Sequence, residues 1–191
     1  LFIVEGPDGA GKTTLVDRLE KELGFQRQAR VVSSEAEAQV PLGPWTEAQI
    51  NDGFGPKLYD RFALISAPMY MYLPNRTFTA QFTDRIWLTE MWRKFWMVDA
   101  AIVICLPPLE DVQKNVDGDA SNLVVHDYID EIYWSYHNWY CQQRSLYNTS
   151  VILWDYTQPN EKQLWGISQW AKARVETHET WRRRSWKIAS A

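Results

Sequence analysis

Residues 6–13 constrain this chain more than any other stretch. They read Gly6-Pro7-Asp8-Gly9-Ala10-Gly11-Lys12-Thr13, an unbroken match to GxxxxGK[ST]. Just ahead of them, Leu1-Phe2-Ile3-Val4 is a short apolar run ending in Glu5, as a buried strand entering a turn would. Past Thr13 the apolar period becomes helical: Leu15, Val16, Leu19 and Leu23 form a stripe, Asp17, Arg18, Glu20 and Lys21 lie between them, and Gly24 supplies a stop. Strand, glycine-rich loop and helix in this order make a phosphate cradle, because glycines let the backbone curl until several N–H groups converge on phosphate oxygens with a helix N-terminus behind them. Gly6, Asp8, Gly9, Ala10, Gly11, Lys12, Thr13 and Thr14 are therefore the expected nucleotide-binding residues. Lys12 is expected to reach the β- and γ-phosphates of the bound nucleotide, and Thr13 to place its hydroxyl on Mg²⁺. Asp8 is an expensive residue beside a triphosphate, so its carboxylate should turn away from the nucleotide, toward an acceptor or an arginine, unless it only stabilises the turn.

The remaining pattern predicts strands alternating with helices. Ala29–Ser33 can form a second strand, and a loop rich in Gly and Pro follows with one short helix near Glu47–Ile50. Lys57–Asp60 reads as a buried strand whose polar end emerges at Asp60-Arg61. Phe62–Tyr72 is apolar but interrupted by Pro68, a weak helix pattern, whereas Ile86–Phe95 carries a better stripe. Ala100–Leu106 is continuously apolar and closes on Pro107-Pro108, as a central parallel strand would. Tyr128–Tyr147 is a long aromatic helix candidate, Ser150–Asp155 a final strand, and Glu161–Lys187 one or two terminal helices. This alternation predicts an α/β fold of three layers around a mostly parallel central sheet, with a core over 1–160 and a helical extension over 161–191 packed on the same domain.

Composition narrows the function classes. The 191 residues are 46% hydrophobic and 23% charged, enough for a sizeable core and unlike a disordered chain. Two cysteines, Cys105 and Cys141, are too few for a disulfide framework, and three scattered histidines form no metal pattern. No apolar run reaches the roughly 18 residues of a membrane span, and the chain enters the loop at once, so a cytoplasmic protein without a membrane partner is expected. A net charge of −4 argues against indiscriminate nucleic-acid binding. That sum hides an asymmetry, since residues 171–191 hold 6 basic and 2 acidic side chains. Here Trp181, Arg182, Arg183, Arg184, Trp186 and Lys187 combine rings with positive charge, the ingredients of a strand-binding surface. The chain also contains 11 Trp, 9 Tyr and 7 Phe, which either stack on bases or pack cores and subunits. An aromatic helix such as 128–147 can join two copies or roof one core, so a homodimer is among the expected arrangements.

A second constellation is Leu58-Tyr59-Asp60-Arg61-Phe62, with Ser66 four residues further on. If 57–60 lies parallel and adjacent to the first strand, its carboxyl end shares the crevice of the phosphate loop. Arg61 could then grip an acceptor phosphate in a fork, and Asp60 could position Mg²⁺ or the attacking oxygen; a plain strand-end salt bridge is the simpler alternative.

At this point the chain resembles a family. FIVEGPDGAGKTTLVDRL is similar to the opening of thymidylate-kinase-like nucleotide kinases, Asp60-Arg61-Phe62 with Ser66 resembles their DR(Y/F)xxxS segment, and Ile102–Pro108 resembles their apolar strand ending in paired prolines. The resemblance implies a P-loop kinase domain that uses ATP and Mg²⁺, with Asp8 near the acceptor sugar, Arg61 on the acceptor monophosphate, and the adenine near Asp155–Asn160. It implies phosphoryl transfer to a pyrimidine (deoxy)nucleoside monophosphate. The chain departs from the pattern in two places. No Arg-Glu-Pro-Gly segment occurs between 29 and 60, and the lid region Glu110–Tyr128 contains Lys114 but no arginine. The cation that clamps the transferring charge must then come from Lys114 or from Arg76, Arg85 or Arg93, with Arg76, after Pro74-Asn75, the preferred candidate. The stripped lid also looks like P-loop kinases of bacteriophages, which would place the protein in the host cytoplasm. Relatives in that broad group phosphorylate unusual pyrimidine nucleotides or hydroxymethyluracil within DNA, so DNA is a second candidate acceptor. A P-loop NTPase without an organic acceptor is the third class.

Overall fold

The computed structural model describes residues 1–28, 42–52, 57–71, 73–74, 84–98, 100–118, 123–146, 150–158 and 160–189, and of 42, 123, 160, 175 and 177–189 the backbone. Five strands, β1 (Phe2–Glu5), β2 (Gln26–Arg27), β3 (Lys57–Asp60), β4 (Ala101–Cys105) and β5 (Val151–Trp154), form one sheet in the order β2-β3-β1-β4-β5. Every pairing is parallel, with Val4 opposite Asp60 and Glu5 opposite Ile104. Eight helices accompany it among the described residues: α1 (Lys12–Leu23), α2 (Leu42–Asn51), α3 (Ala63–Tyr70), α4 (Arg85–Met97), α5 (Leu109–Asp117), α6 (Leu123–His126), α7 (Ile129–Leu146) and α8 (Asn160–Ala189). The expected three-layer α/β architecture is the one observed, and its sheet is parallel throughout.

The alternation of side chains along β1 separates the two helical layers. Phe2 points to one face, where its ring meets Phe25 and, 5.7 Å away, Trp170 of α8. Glu5 points to the other, where it meets Tyr136 of α7. All residues of β1 and β4 are buried, as a central parallel pair flanked on both faces must be. On the first face, Leu164, Ile167 and Ala171 of α8 are buried, and Ser168 donates to Glu22 of α1.

Three local expectations change. The second strand is Gln26–Arg27, ahead of Ala29–Ser33, which lies outside the described residues. The short helix expected at Glu47–Ile50 begins at Leu42, where Gly43 and Pro44 had suggested loop; proline is compatible with a first helical turn, whose N–H groups lack intrahelical acceptors anyway. The interrupted 62–72 pattern is a helix over Ala63–Tyr70 with Pro68 inside it. Proline at 68 forfeits only its own bond to Leu64, while seven of the eight residues are buried, so packing outweighs the lost bond. Of the others, α4 runs a little past its predicted ends because Asp84 caps it, accepting from the Ile86 and Trp87 amides. The terminal helix is one unbroken segment.

Candidate functional site

Because β1 and β3 are paired neighbours, their carboxyl ends bring the phosphate loop and the Asp60-Arg61 turn into one crevice. The loop follows from its glycines. Gly6 has φ +142° and passes so close to β4 that a Cβ there would lie 2.4 Å from the Cys105 carbonyl oxygen. Gly11, φ +76°, caps α1 and presses against the Tyr156 ring. These are conformations and approaches open to glycine alone.

Lys12 lies in the first turn of α1, is buried, and donates from Nζ to the Pro7 carbonyl at 2.5 Å. Burial, and then the Arg61 charge, bring its ammonium down to about 8. Thr13 Oγ1 donates to Asp60 Oδ2 at 3.3 Å. The other carboxylate oxygen, Asp60 Oδ1, is buried with no hydrogen-bond partner. A hard-oxygen pair of this kind, with one lone oxygen unspent, fits Mg²⁺, which takes one or two protein oxygens and completes its shell with water and phosphate. Among the described residues no group of three His, Cys, Asp or Glu forms a self-contained metal cage.

Asp8 turns from Lys12 toward the β3 side. Its Oδ1 accepts from Arg61 Nη2 at 2.5 Å and its Oδ2 from the Tyr70 hydroxyl at 3.0 Å. Burial alone would raise the Asp8 carboxyl, but the Arg61 and Lys12 charges with the Tyr70 hydroxyl outweigh it and hold the group well below the usual carboxylate range. The Arg61 guanidinium lies 4.7 Å over the Tyr70 ring and donates from Nη1 to the Tyr136 hydroxyl at 3.3 Å. Its backbone is left-handed, φ +74°, the sole non-glycine residue so among those described. Below it sits Glu5, fully buried, which accepts from the Phe62 amide through Oε1 and from the Tyr136 hydroxyl, 2.8 Å away, through Oε2. Burial pushes the Glu5 carboxyl up despite Arg61, these two donors and Lys12.

The structure thus brings together Gly6, Asp8, Gly9, Ala10, Gly11, Lys12, Thr13, Thr14, Asp60 and Arg61. Arg76 lies outside the described residues, as do the side chains of Trp181 to Lys187. Lys114 pairs with Asp111 on an exposed face of α5, and Arg93 reaches Met97 on an exposed face of α4. Three residues that complete the site have no role in the motif reading. Glu5 left a faint signal, a carboxylate ending an otherwise apolar strand. Tyr70 and Tyr136 left none, because Tyr70 ends a segment that reads as plainly apolar and Tyr136 is one aromatic among many in its helix.

A second hollow opens beside the loop. Gly11, Thr14, Leu15, Arg18, Asn115, Trp154 and Tyr156 line a cavity of about 320 Å³. Asn115 donates to the Gly9 carbonyl and the Tyr156 hydroxyl, both at 2.8 Å, tying α5 and the turn after β5 to the phosphate loop. Away from the crevice the described aromatics mostly pack on one another: Trp45 on Tyr59 and Phe62, Phe62 on Phe95, and Trp92 on Phe95, Trp96 and Trp139.

The parallel sheet order, the loop at the end of β1 and the cation–carboxylate cluster beside it define the P-loop kinase α/β fold. No protein-family model matches the sequence, and no curated protein matches it significantly. Solved structures do match. The YorR protein of Bacillus subtilis, in complex with phosphorylated GDP, aligns at 18% identity and a TM-score of 0.58 over 95% of this chain and 97% of its own. Deoxyadenosine kinase of M. mycoides with bound dATP aligns at 15% identity and 0.59, covering 88% and 97%. The same enzyme with bound dCTP aligns at 14% and 0.55, covering 91% and 100%. At these identities the likeness is one of fold.

Proposed function

We propose that this protein transfers the γ-phosphoryl group of ATP to the phosphate of a deoxynucleoside monophosphate, with a pyrimidine the base that the sequence resemblance favours. The observation that carries the reading is the gathering of two buried cations, Lys12 and Arg61, near Asp8 at the adjoining ends of β1 and β3. The structural neighbours, one called a deoxyadenosine kinase and one holding phosphorylated GDP, support nucleotide phosphorylation in general.

In this reading the amides of residues 9–13 cradle the triphosphate, and Lys12 exchanges the Pro7 carbonyl for phosphate oxygens. Thr13 and Asp60 would hold Mg²⁺, which would supply charge neutralisation on the phosphates. The cavity floored by Gly11 and walled by Tyr156 and Asn115 takes the adenine. Arg61 grips the acceptor phosphate, for which the incoming anion competes with Asp8; the freed Asp8 carboxylate then faces the acceptor sugar. An acceptor phosphate oxygen attacks without giving up a proton, so no base is required. That suits a site whose best-placed carboxylate, Asp8, is held far below the range of a useful base.

A second reading, transfer to a nucleoside hydroxyl, is favoured by one observation: Arg61 is already matched by Asp8, and a neutral acceptor would leave that pair intact. Labelled ATP offered to separate pools of nucleosides, nucleoside monophosphates, and single- and double-stranded DNA with natural or hydroxymethylated pyrimidines separates these classes. The expected product is a pyrimidine deoxynucleoside diphosphate, and Lys12→Ala should reduce its formation by at least about 10²-fold. Label in DNA, with salt-dependent binding that weakens when Arg182, Arg183 and Arg184 become Ala, would establish the DNA acceptor instead. Label in inorganic phosphate alone would leave an NTPase.

A further inference from the structure

On the side of Arg61 away from Asp8, the hydrogen bonds form a closed ring that starts and ends on Glu5. One Glu5 oxygen accepts from the Phe62 amide, directly after Arg61. The other accepts the hydroxyl hydrogen of Tyr136. That hydroxyl has a single hydrogen and spends it on Glu5, so its oxygen is turned to accept from Arg61 Nη1. The Arg61 amide is fixed as well, donating to the Val4 carbonyl at 3.0 Å. One buried carboxylate therefore acts on both ends of the same arginine, holding the left-handed backbone turn through Phe62 and the guanidinium through Tyr136. A non-glycine residue in that region is strained and persists only where its surroundings over-determine it. The ring supplies that constraint. Tyr136 is fully buried and comes from α7, remote in sequence from both the loop and β3.

We propose that Glu5 and Tyr136 are positioning residues that set the aim of Arg61 toward the acceptor anion, with no contact of their own to either substrate. The inference rests on the reading of Arg61 as the acceptor-binding cation. It gives a role to the carboxylate that ends β1 and to one tyrosine of the aromatic helix. It also explains the direction of each hydrogen bond: with Asp8 in front of the guanidinium and Tyr136 behind it, one Nη faces the crevice and the other is anchored in the core.

The test uses Tyr136→Phe, which keeps the ring and removes the oxygen, and Glu5→Gln, which keeps the shape but places an N–H₂ against one of two donors. Each should raise the acceptor KM by about tenfold, the scale of one hydrogen bond to a charged group, while the ATP KM stays unchanged. The double variant should do no more damage than the worse single, since both break one ring. An independent readout is the Arg61 guanidinium in ¹⁵N-resolved NMR spectra, assigned with Arg61→Lys. Its Nη1–H signals should be slowly exchanging in the wild type and lost in Tyr136→Phe, while those of Nη2, still held by Asp8, persist, at an unchanged fold judged by the amide spectrum. Acceptor KM unchanged in both variants, ATP and acceptor KM rising together, or identical Arg61 signals would each overturn the proposal. If the wild-type protein phosphorylates none of the acceptors, the proposed function fails and the guanidinium signals alone decide the ring.

Discussion

Removing the Asp8 carboxylate tests the electrostatic core of the site. Asp8 and Arg61 are 20% and 7% exposed, and their Oδ1–Nη2 contact is 2.5 Å. Deleting one member of a buried pair costs about 3–5 kcal/mol, because the other charge is left in a dry environment. Here the Tyr70 ring and the Tyr136 oxygen still face Arg61, and Glu5 remains close, so Asp8→Ala should fall at the low end, about 3 kcal/mol. In a domain of this size that corresponds to a melting temperature lower by about 6–12 °C. Asp8→Asn keeps an oxygen for Nη2 and loses only the charge, so it should cost about half as much. Urea unfolding and thermal melts measure both, and a cycle with Arg61→Ala should give a coupling of about 2 kcal/mol or more. Acid supplies a second check. The folded Asp8 carboxyl lies below its ordinary value near 4, so its stabilisation is complete above about pH 4 and is lost as pH falls toward the folded value. The gap between wild type and Asp8→Asn should therefore stay constant at neutral pH and shrink below about pH 4. A cost under about 0.5 kcal/mol for Asp8→Ala, or no coupling to Arg61, would refute a buried pair.

Lys12 titrates at about 8 because burial and the Arg61 charge disfavour its cation, and bound phosphate should restore that cation. ATP binding should take up a proton above about pH 8 and weaken as pH rises; calorimetry in buffers of different ionisation heat reads this, and uptake of no proton at alkaline pH contradicts it. Gly6→Ala sets a Cβ 2.4 Å from the Cys105 carbonyl oxygen, whereas at Gly24, φ +65°, nothing lies within 4 Å. Gly24→Ala should cost only about 1–2 kcal/mol of backbone strain and Gly6→Ala clearly more, or abolish folding altogether; equal melting temperatures would show that the loop does not press on β4 as described.

The fold was largely legible because it is written in local patterns. Continuous apolar runs at 1–4, 100–106 and 151–154, with Leu58-Tyr59 beside them, need both faces covered, which selects a parallel sheet between helices, and the glycines of residues 6–11 specify their own backbone. Gly6 to Thr13 could be named for the same reason, whereas Asp60 and Arg61 reach the crevice only because β3 pairs in parallel beside β1. The unread part depends on distance in sequence. Pro68 stays helical because its neighbours are buried, a property of packing that residues 62–72 do not carry alone. Tyr136 was one ring among several in 128–147, and only the crossing of α7 over the end of β1 singles it out, 131 positions from the carboxylate it binds. Glu5 gains its meaning in the same way. By itself the sequence determined the glycine-rich loop between β1 and α1, since a loop and its flanking elements are built from adjacent residues. Only tertiary structure decided what holds Arg61 in place, because a buried hydrogen-bond ring closes through space between elements that no spacing rule connects.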